Sequence, residues 1–442
     1  MHESKWNDDA RALAAEHAKR LVDDEAEAAK LGVPLPTIDH LRRALVELTM
    51  LFQAAPTPVL AKYKKIPEAR LRAYARKVTV NLDAGSLVWL EGEPLEAAAA
   101  QLRAVDALLL KLSPRSRPTD PNKDYLCPEH EVHVIPRHAA KPIADVSKVG
   151  TPTYDRRGLI HHRIIPAEID GYAIELHWHR DLYLTMRAPS ANVMGAIFHD
   201  LLLVPNRKYK HFVARKAPCS NEDATLAAQV NAIRASSTML AVWPELTMPP
   251  GRLEKLRKLL EKHALADPPL SGGCIIAAGS WHEMEGGKVR NRMHILSSNG
   301  TARFHYDKSI PLESKTLGIE KLTPSYRLPV LITEDALVTF AICRDFCESQ
   351  ISKVYQALDV DLVVVPSYGD LKTIDAHRQQ AGNLYTKSGA RVFVVQQIVP
   401  DEVQGTQSGY VLPPETDPVS TRPKDLLETA PGGTHPISFK RV

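Results

Sequence analysis

What the chain has little of narrows its class first. Its 442 residues include only 5 cysteines, an odd number without dense spacing. That excludes a disulfide-stapled scaffold and points to a reducing compartment. Charge is nearly balanced: 56 basic against 52 acidic residues leave a formal net charge of +4. So small an excess gives no case for a nucleic-acid or membrane partner. No apolar run approaches the roughly 20 residues that a bilayer-spanning helix needs. The opening "MHESKWNDDARALAAEHAKR" is charged and lacks the apolar core of a secretory leader, so a cytoplasmic location is expected. Fixed-period repeats and low-complexity tracts are also absent from the sequence.

What remains is the composition of a globular protein, 44% hydrophobic and 24% charged, with length for more than one domain. Residues 1–115 read as a mainly helical region. "DDARALAAEHAKRLVDDEAEAAKLG", "TIDHLRRALVELTMLFQAA" and "PLEAAAAQLRAVDALLLKL" are helix-forming stretches, the last two with apolar residues at helical spacing. "SPRSRPTDPNKD", residues 113–124, reads as a proline-rich linker. The rest of 116–204 is mixed and matches no known module, although "EVHVIP" and "YAIELHWHRDLYLTMRA" alternate enough to suggest strands.

From about 205 to 442, short apolar runs alternate with helical stretches, the pattern of an α/β domain with helices outside its sheets. "VRNRMHILSS" and "TARFHYDK" flank Asn299-Gly300, a strong hairpin signal. Three reactive residues fall where such runs stop. Glu245 ends "MLAVWPE", Lys308 ends "RFHYDK" and Cys343 ends "VTFAIC". Open α/β sheets place ligand sites at strand ends. A carboxylate that takes a thiol proton, an ammonium that stabilises an oxyanion, and a thiol nucleophile form a coherent set. The stretch after Cys343 reads as a helix whose first N–H groups face the sulfur. By the residues alone other readings stay open. Cys343 reads as a small buried filler, as a metal ligand with Cys347, or as half of a redox pair.

The same residues resemble the nitrilase, or carbon–nitrogen hydrolase, superfamily over 205–442. "AVWPELTMPP" is similar to its glutamate segment, "NRMHILSSNGTARFHYDKSIP" to the hairpin leading into its lysine, and "FAICRDFCES" to its cysteine turn. "DVDLVVVPSYGD" and "RQQAGNLYTKSGARVFVVQQ" follow in the family's order. The resemblance implies an α-β-β-α sandwich, no cofactor or metal, and homo-oligomers. It implies Glu245 as general base, Lys308 as oxyanion stabiliser and Cys343 as nucleophile. It also implies a second glutamate near the lysine, for which Glu313 is the first candidate and Glu320 the fallback. Where members usually carry an aromatic or acidic residue after the cysteine, this chain has Arg344, a candidate substrate-binding residue. Cys347 stands where a proline is usual.

The expected activity is hydrolysis of a non-peptide carbon–nitrogen bond, a linear amide first, through a cysteine thioester. The alternatives are nitrile hydrolysis by the same residues and an idle regulatory or scaffold module. The small-molecule amide or nitrile is the expected partner. The histidines of "HEVHVIPRH" and "HHRIIPAEIDGYAIELHWH" match no ligand spacing and read as packing or surface residues.

Overall fold

The structure is a computed structural model that describes residues 2–31, 38–83, 93–112, 120–137, 159–179, 190–235, 238–266, 274–314, 317–333, 336–398, 409–414, 427–428 and 434–440. The chain divides into two compact units, Met1–Ala167 and Glu168–Val442. The second begins well before residue 205, because two strands from the stretch expected to be unassigned belong to its main sheets. Tyr172–His179 pairs in parallel with Arg327–Thr333, and Ser190–Ala196 with Leu240–Trp243.

The first unit carries the three expected helices as Glu3–Leu31, Ile38–Gln53 and Pro94–Leu112. Two more, Thr57–Lys65 and Glu68–Asp83, lie between them. Their apolar faces close on Trp6, Leu41, Leu45, Leu102 and Leu108, each such side chain contributing about 1.5–3 kcal/mol by its burial. A three-stranded antiparallel sheet completes the unit: Leu126–Cys127, Val132–Pro136 and His162–Pro166. Buried Asp106 ties helix to sheet by accepting from the backbone N–H of Ile160 and His161 and from His162 Nδ1, at 2.6, 2.8 and 2.9 Å. Among the described residues no single helix is long and apolar enough to cross a membrane.

The second unit is mixed α/β. Its six-stranded sheet runs Ala302–Asp307, Lys288–Ser297, Ile275–Glu285, Leu240–Trp243, Ser190–Ala196, Thr434–Lys440 in spatial order. Its eight-stranded sheet runs Leu427–Glu428, Gly409–Leu412, Arg391–Ile398, Leu362–Gly369, Leu337–Phe340, Arg327–Thr333, Tyr172–His179, Glu168–Ile169. A small four-stranded sheet holds Glu313–Ser314, Gly318–Glu320, His211–Lys216 and Val204–Lys208.

The central strands are buried along almost their whole length, as parallel strands covered on both faces must be, and the polar side chains they enclose are Ser367, Gln396 and Gln397. Helices Glu222–Ala235 and Pro250–Ala266 set Leu226, Val230, Leu256 and Leu260 on Trp243, Ile276 and Ala278 of the six-stranded sheet. The two large sheets approach closely at Gly195, where an added Cβ would lie 3.0 Å from Val411 and 3.1 Å from Val395. Phe304 of the six-stranded sheet meets Phe340 of the eight-stranded sheet edge-on. The Asn299-Gly300 hairpin forms as its sequence demands, with Gly300 at φ +81°.

One local expectation is corrected. The chain after Cys343 is not a single helix. Arg344–Cys347 makes one turn, Glu348 is extended (φ −77°, ψ 133°), and the helix proper is Ser349–Leu358.

Candidate active site

Three strand ends meet. Glu245 follows the Leu240–Trp243 strand and Lys308 follows Ala302–Asp307, both in the six-stranded sheet, while Cys343 follows Leu337–Phe340 in the eight-stranded sheet. All three are buried, with Cys343 only 1% exposed.

Each is held by local backbone that departs from regular structure. The glutamate turn is shaped by a bulge in the neighbouring strand at Gly279. Gly279 has φ +64°, and a Cβ there would lie 2.6 Å from the carbonyl oxygen of Pro244, so only glycine fits. Thr247 Oγ1 donates to that same carbonyl at 2.7 Å, and Leu246 N–H donates to Ser280 Oγ at 3.2 Å. Cys343 itself has φ +48° and ψ −109°. A non-glycine residue held there stores about 1–3 kcal/mol of strain. Its N–H donates to the Pro366 carbonyl at 2.9 Å, which pins the turn to the next strand.

Lys308 sits between two carboxylates. Its Nζ donates to Glu245 Oε1 and to Glu320 Oε2, each at 2.7 Å. Asn291 Nδ2 bridges the same pair, at 2.9 Å to Glu245 Oε1 and 2.7 Å to Glu320 Oε1. Glu320 also accepts from Leu312 N–H at 2.8 Å and meets His282 Nε2 at 2.9 Å. The Ala214 N–H donates to His282 Nδ1 at 2.8 Å. That nitrogen therefore carries no proton, and Nε2–H is the donor to Glu320. Both oxygens of Glu320 are thus saturated with donors. Glu245 differs: its Oε1 accepts twice, whereas its buried Oε2 has no hydrogen-bond partner among the described residues.

Electrostatics follow from that asymmetry. Burial works against charge on Glu320, but Lys308 and His282 outweigh it and hold its pKa below the ordinary carboxylate value. Burial raises Glu245 above that value, with Glu320 adding to the rise against Lys308. Burial would lower Lys308, yet the two carboxylates keep it above the usual lysine value and charged. The Cys343 thiol is pushed up to about 12 by burial and by Glu245, against Lys308 and Ser367. At neutral pH the resting sulfur is therefore a thiol, and it needs a base at the moment it reacts.

The outcome for the sequence candidates is uneven. Glu245, Lys308 and Cys343 converge. Glu313 does not: it is exposed and faces Arg344, 3.3 Å from its Nη1. The second carboxylate on Lys308 is Glu320, the fallback. Alternation decides this. Glu313 lies on a two-residue edge strand with its side chain outward, and Glu320 ends the paired strand with its side chain inward. Arg344 is engaged with Glu313, Glu348 (3.3 Å) and the Pro311 carbonyl (3.1 Å). Asn291, His282 and Asp345 escaped the sequence reading. Each is buried, but the sequence gives no sign of it: Asn291 stands between Arg290 and Arg292, His282 beside Glu283 and Asp345 beside Arg344. Asp345 fastens the lysine loop to the cysteine turn, accepting from Tyr306 Oη (2.7 Å), Ser309 N–H (3.2 Å) and Ile310 N–H (2.8 Å). Elsewhere His130 meets Glu47, His133 meets the Asn122 carbonyl, and His177 stacks on Phe304.

No protein-family profile matches the chain, and no curated protein matches it in sequence. Solved structures do. An amidase from Nesterenkonia sp. is 14% identical with a TM-score of 0.40, covering 58% of this chain and 93% of that one. The C. elegans NitFhit protein is 14% identical with a TM-score of 0.40, over 58% of this chain and 62% of its own. Saccharomyces cerevisiae Nit3, a member of branch 10 of the nitrilase superfamily, is 13% identical with a TM-score of 0.37, over 59% and 92%. Among the solved structures that the chain resembles are thus an amidase and a nitrilase-superfamily member.

Proposed function

We propose that the second unit is a nitrilase-type thiol hydrolase that cleaves a non-peptide carbon–nitrogen bond, with a linear amide as substrate class. The observation that carries this reading is the free Oε2 of Glu245. It is a buried carboxylate oxygen of raised pKa, on a residue whose other oxygen is tied to a charged lysine, and the Cys343 thiol interacts with the same carboxyl group. In the reaction Glu245 takes the thiol proton as sulfur attacks the carbonyl carbon, forming the C–S bond. The negative charge that collects on the carbonyl oxygen is met by the Lys308 ammonium and by the Arg344 N–H at the start of its turn. Glu245 returns its proton to the nitrogen, the C–N bond breaks, and the amine leaves a thioester on Cys343. Water, deprotonated by Glu245, then releases the acid and restores the thiol.

Glu320 has a different task. Saturated by Lys308, Asn291, His282 and Leu312, it is placed to keep the lysine charged and oriented rather than to move protons. The test is intact-mass screening of the protein against a panel of paired amides and nitriles. A mass gain mapped to Cys343 with amides, absent in Cys343→Ala, is the expected result. Amide hydrolysis by Cys343→Ala at the wild-type rate would sink the mechanism, and adducts with nitriles alone would replace the substrate class.

A further inference from the structure

Behind the sulfur of Cys343 lies a second hydrogen-bonded chain that the hydrolytic steps do not use. Ser367, on the strand Leu362–Gly369, is fully buried between Pro366, whose carbonyl accepts from Cys343 N–H, and Tyr368, whose carbonyl faces Cys343 Sγ at 3.8 Å. The Ser367 side chain is close enough to Cys343 to favour negative charge on its sulfur, although no hydrogen bond joins the two at rest. On its other side it meets Gln396 Oε1 at 3.2 Å and His377 Nε2 at 3.0 Å. His377, fully buried on the helix Leu371–Ser388, meets Cys347 Sγ through Nδ1 at 3.2 Å.

The protons can be placed one by one. Gln396 Nε2 donates to the Asp370 carbonyl at 2.7 Å, so the amide presents its acceptor-only oxygen to Ser367. The single hydroxyl proton of Ser367 then points at Gln396 in the resting state. Toward His377, Ser367 must accept, so Nε2 carries the imidazole proton. Nδ1 is left as an acceptor, and Cys347 S–H is the group that fills it. The chain is directional: Cys347 donates to His377, and His377 donates to Ser367. A hydroxyl whose lone pair is already engaged is free to turn its one proton elsewhere.

We propose that Ser367 donates this proton as a hydrogen bond to the Cys343 sulfur when Glu245 removes the thiol proton, with His377 and Cys347 as positioning residues that hold Ser367 as a donor. No proton is transferred along the chain. The Ser367 O–H swings from Gln396 Oε1 to sulfur, and the charge on sulfur gains a donor opposite Lys308. The inference rests on the reading of Cys343 as the nucleophile.

The test measures the second-order rate of Cys343 alkylation by iodoacetamide, by peptide mapping. It needs no substrate, and thermal unfolding is recorded beside it. Ser367→Ala should slow the reaction about tenfold or more, as expected for a lost hydrogen bond to a charged group. His377→Leu should slow it several-fold, and His377→Gln, which keeps an N–H toward Ser367, should recover most of the rate. Because His377 acts through Ser367, the double variant Ser367→Ala/His377→Leu should match Ser367→Ala within about twofold. Should His377→Leu not fold, Cys347→Val read against Cys347→Ser, which restores a donor to Nδ1, takes its place. A Ser367→Ala rate within twofold of wild type overturns the proposal, as do fully multiplicative effects in the double variant. If Cys343 of the wild-type protein is not alkylated ahead of the other cysteines, the nucleophile reading itself fails. If it is, and Ser367→Ala changes nothing, only the Ser367 chain falls.

Discussion

The lysine between two carboxylates gives the sharpest prediction, because the two glutamates nearest it in the following sequence should behave in opposite ways. Glu320 receives donors from Lys308, Leu312, Asn291 and His282, between 2.7 and 2.9 Å, with no exposed surface on its side chain. Glu320→Gln keeps the shape but replaces one oxygen by an NH2 group. In either orientation that group faces two donors, so two contacts are lost and turned repulsive. At about 1.5–3 kcal/mol for each hydrogen bond to a charged group, the loss is roughly 3–6 kcal/mol, in line with the roughly 3–5 kcal/mol for breaking a buried ion pair. Glu313, exposed beside Arg344, should cost no more than about 1 kcal/mol when changed to Gln. Urea unfolding followed by tryptophan fluorescence measures both, since Trp243 and Trp281 lie in the core of this unit. Alkylation of Cys343 gives the functional readout in parallel. A Glu320→Gln protein within about 0.5 kcal/mol of wild type and fully reactive, alongside an inert Glu313→Gln protein, would refute the assignment of the second carboxylate.

Three further outcomes follow from the geometry. Cys343→Gly should be at least as stable as Cys343→Ala, by up to about 1 kcal/mol, since glycine relieves the φ of +48° while both lose all adduct formation; thermal unfolding and intact mass read the pair. Gly279→Ala should displace the Pro244–Glu245 turn through its 2.6 Å clash and abolish adduct formation at Cys343, which lies in the other sheet; a fully reactive variant would show that the bulge does not position Glu245. Asp345 carries a pKa raised to about 7 by burial, against Lys308 and its own donors. Between the ordinary carboxylate range and about 7 the folded protein keeps this proton and the unfolded chain does not. The stability it contributes is therefore full at low pH and lost as pH rises toward 7. Asp345→Asn should flatten that part of the melting temperature against pH profile while its amide oxygen still accepts from Ser309 and Ile310, its NH2 group facing the Tyr306 hydroxyl in place of the second carboxylate oxygen.

Some of this was determined by the sequence alone. Apolar runs that lead into Glu245 and Cys343 specify buried strands with reactive ends, because the hydrophobic effect fixes where a run enters and leaves the core, whereas the strand before Lys308 is buried only at Tyr306 and Asp307. The Asn299-Gly300 hairpin is likewise local, set by a turn that needs positive φ. Tertiary structure decided what depends on partners distant in sequence. Period-2 alternation turns Glu313 outward and Glu320 inward, yet only the pairing of Gly318–Glu320 with His211–Lys216 fixes which face is the inner one. Asn291, His282, Ser367 and His377 look like ordinary polar residues in the sequence. They gain their roles because a buried donor or acceptor must find its counterpart, and here those counterparts lie on other strands and helices.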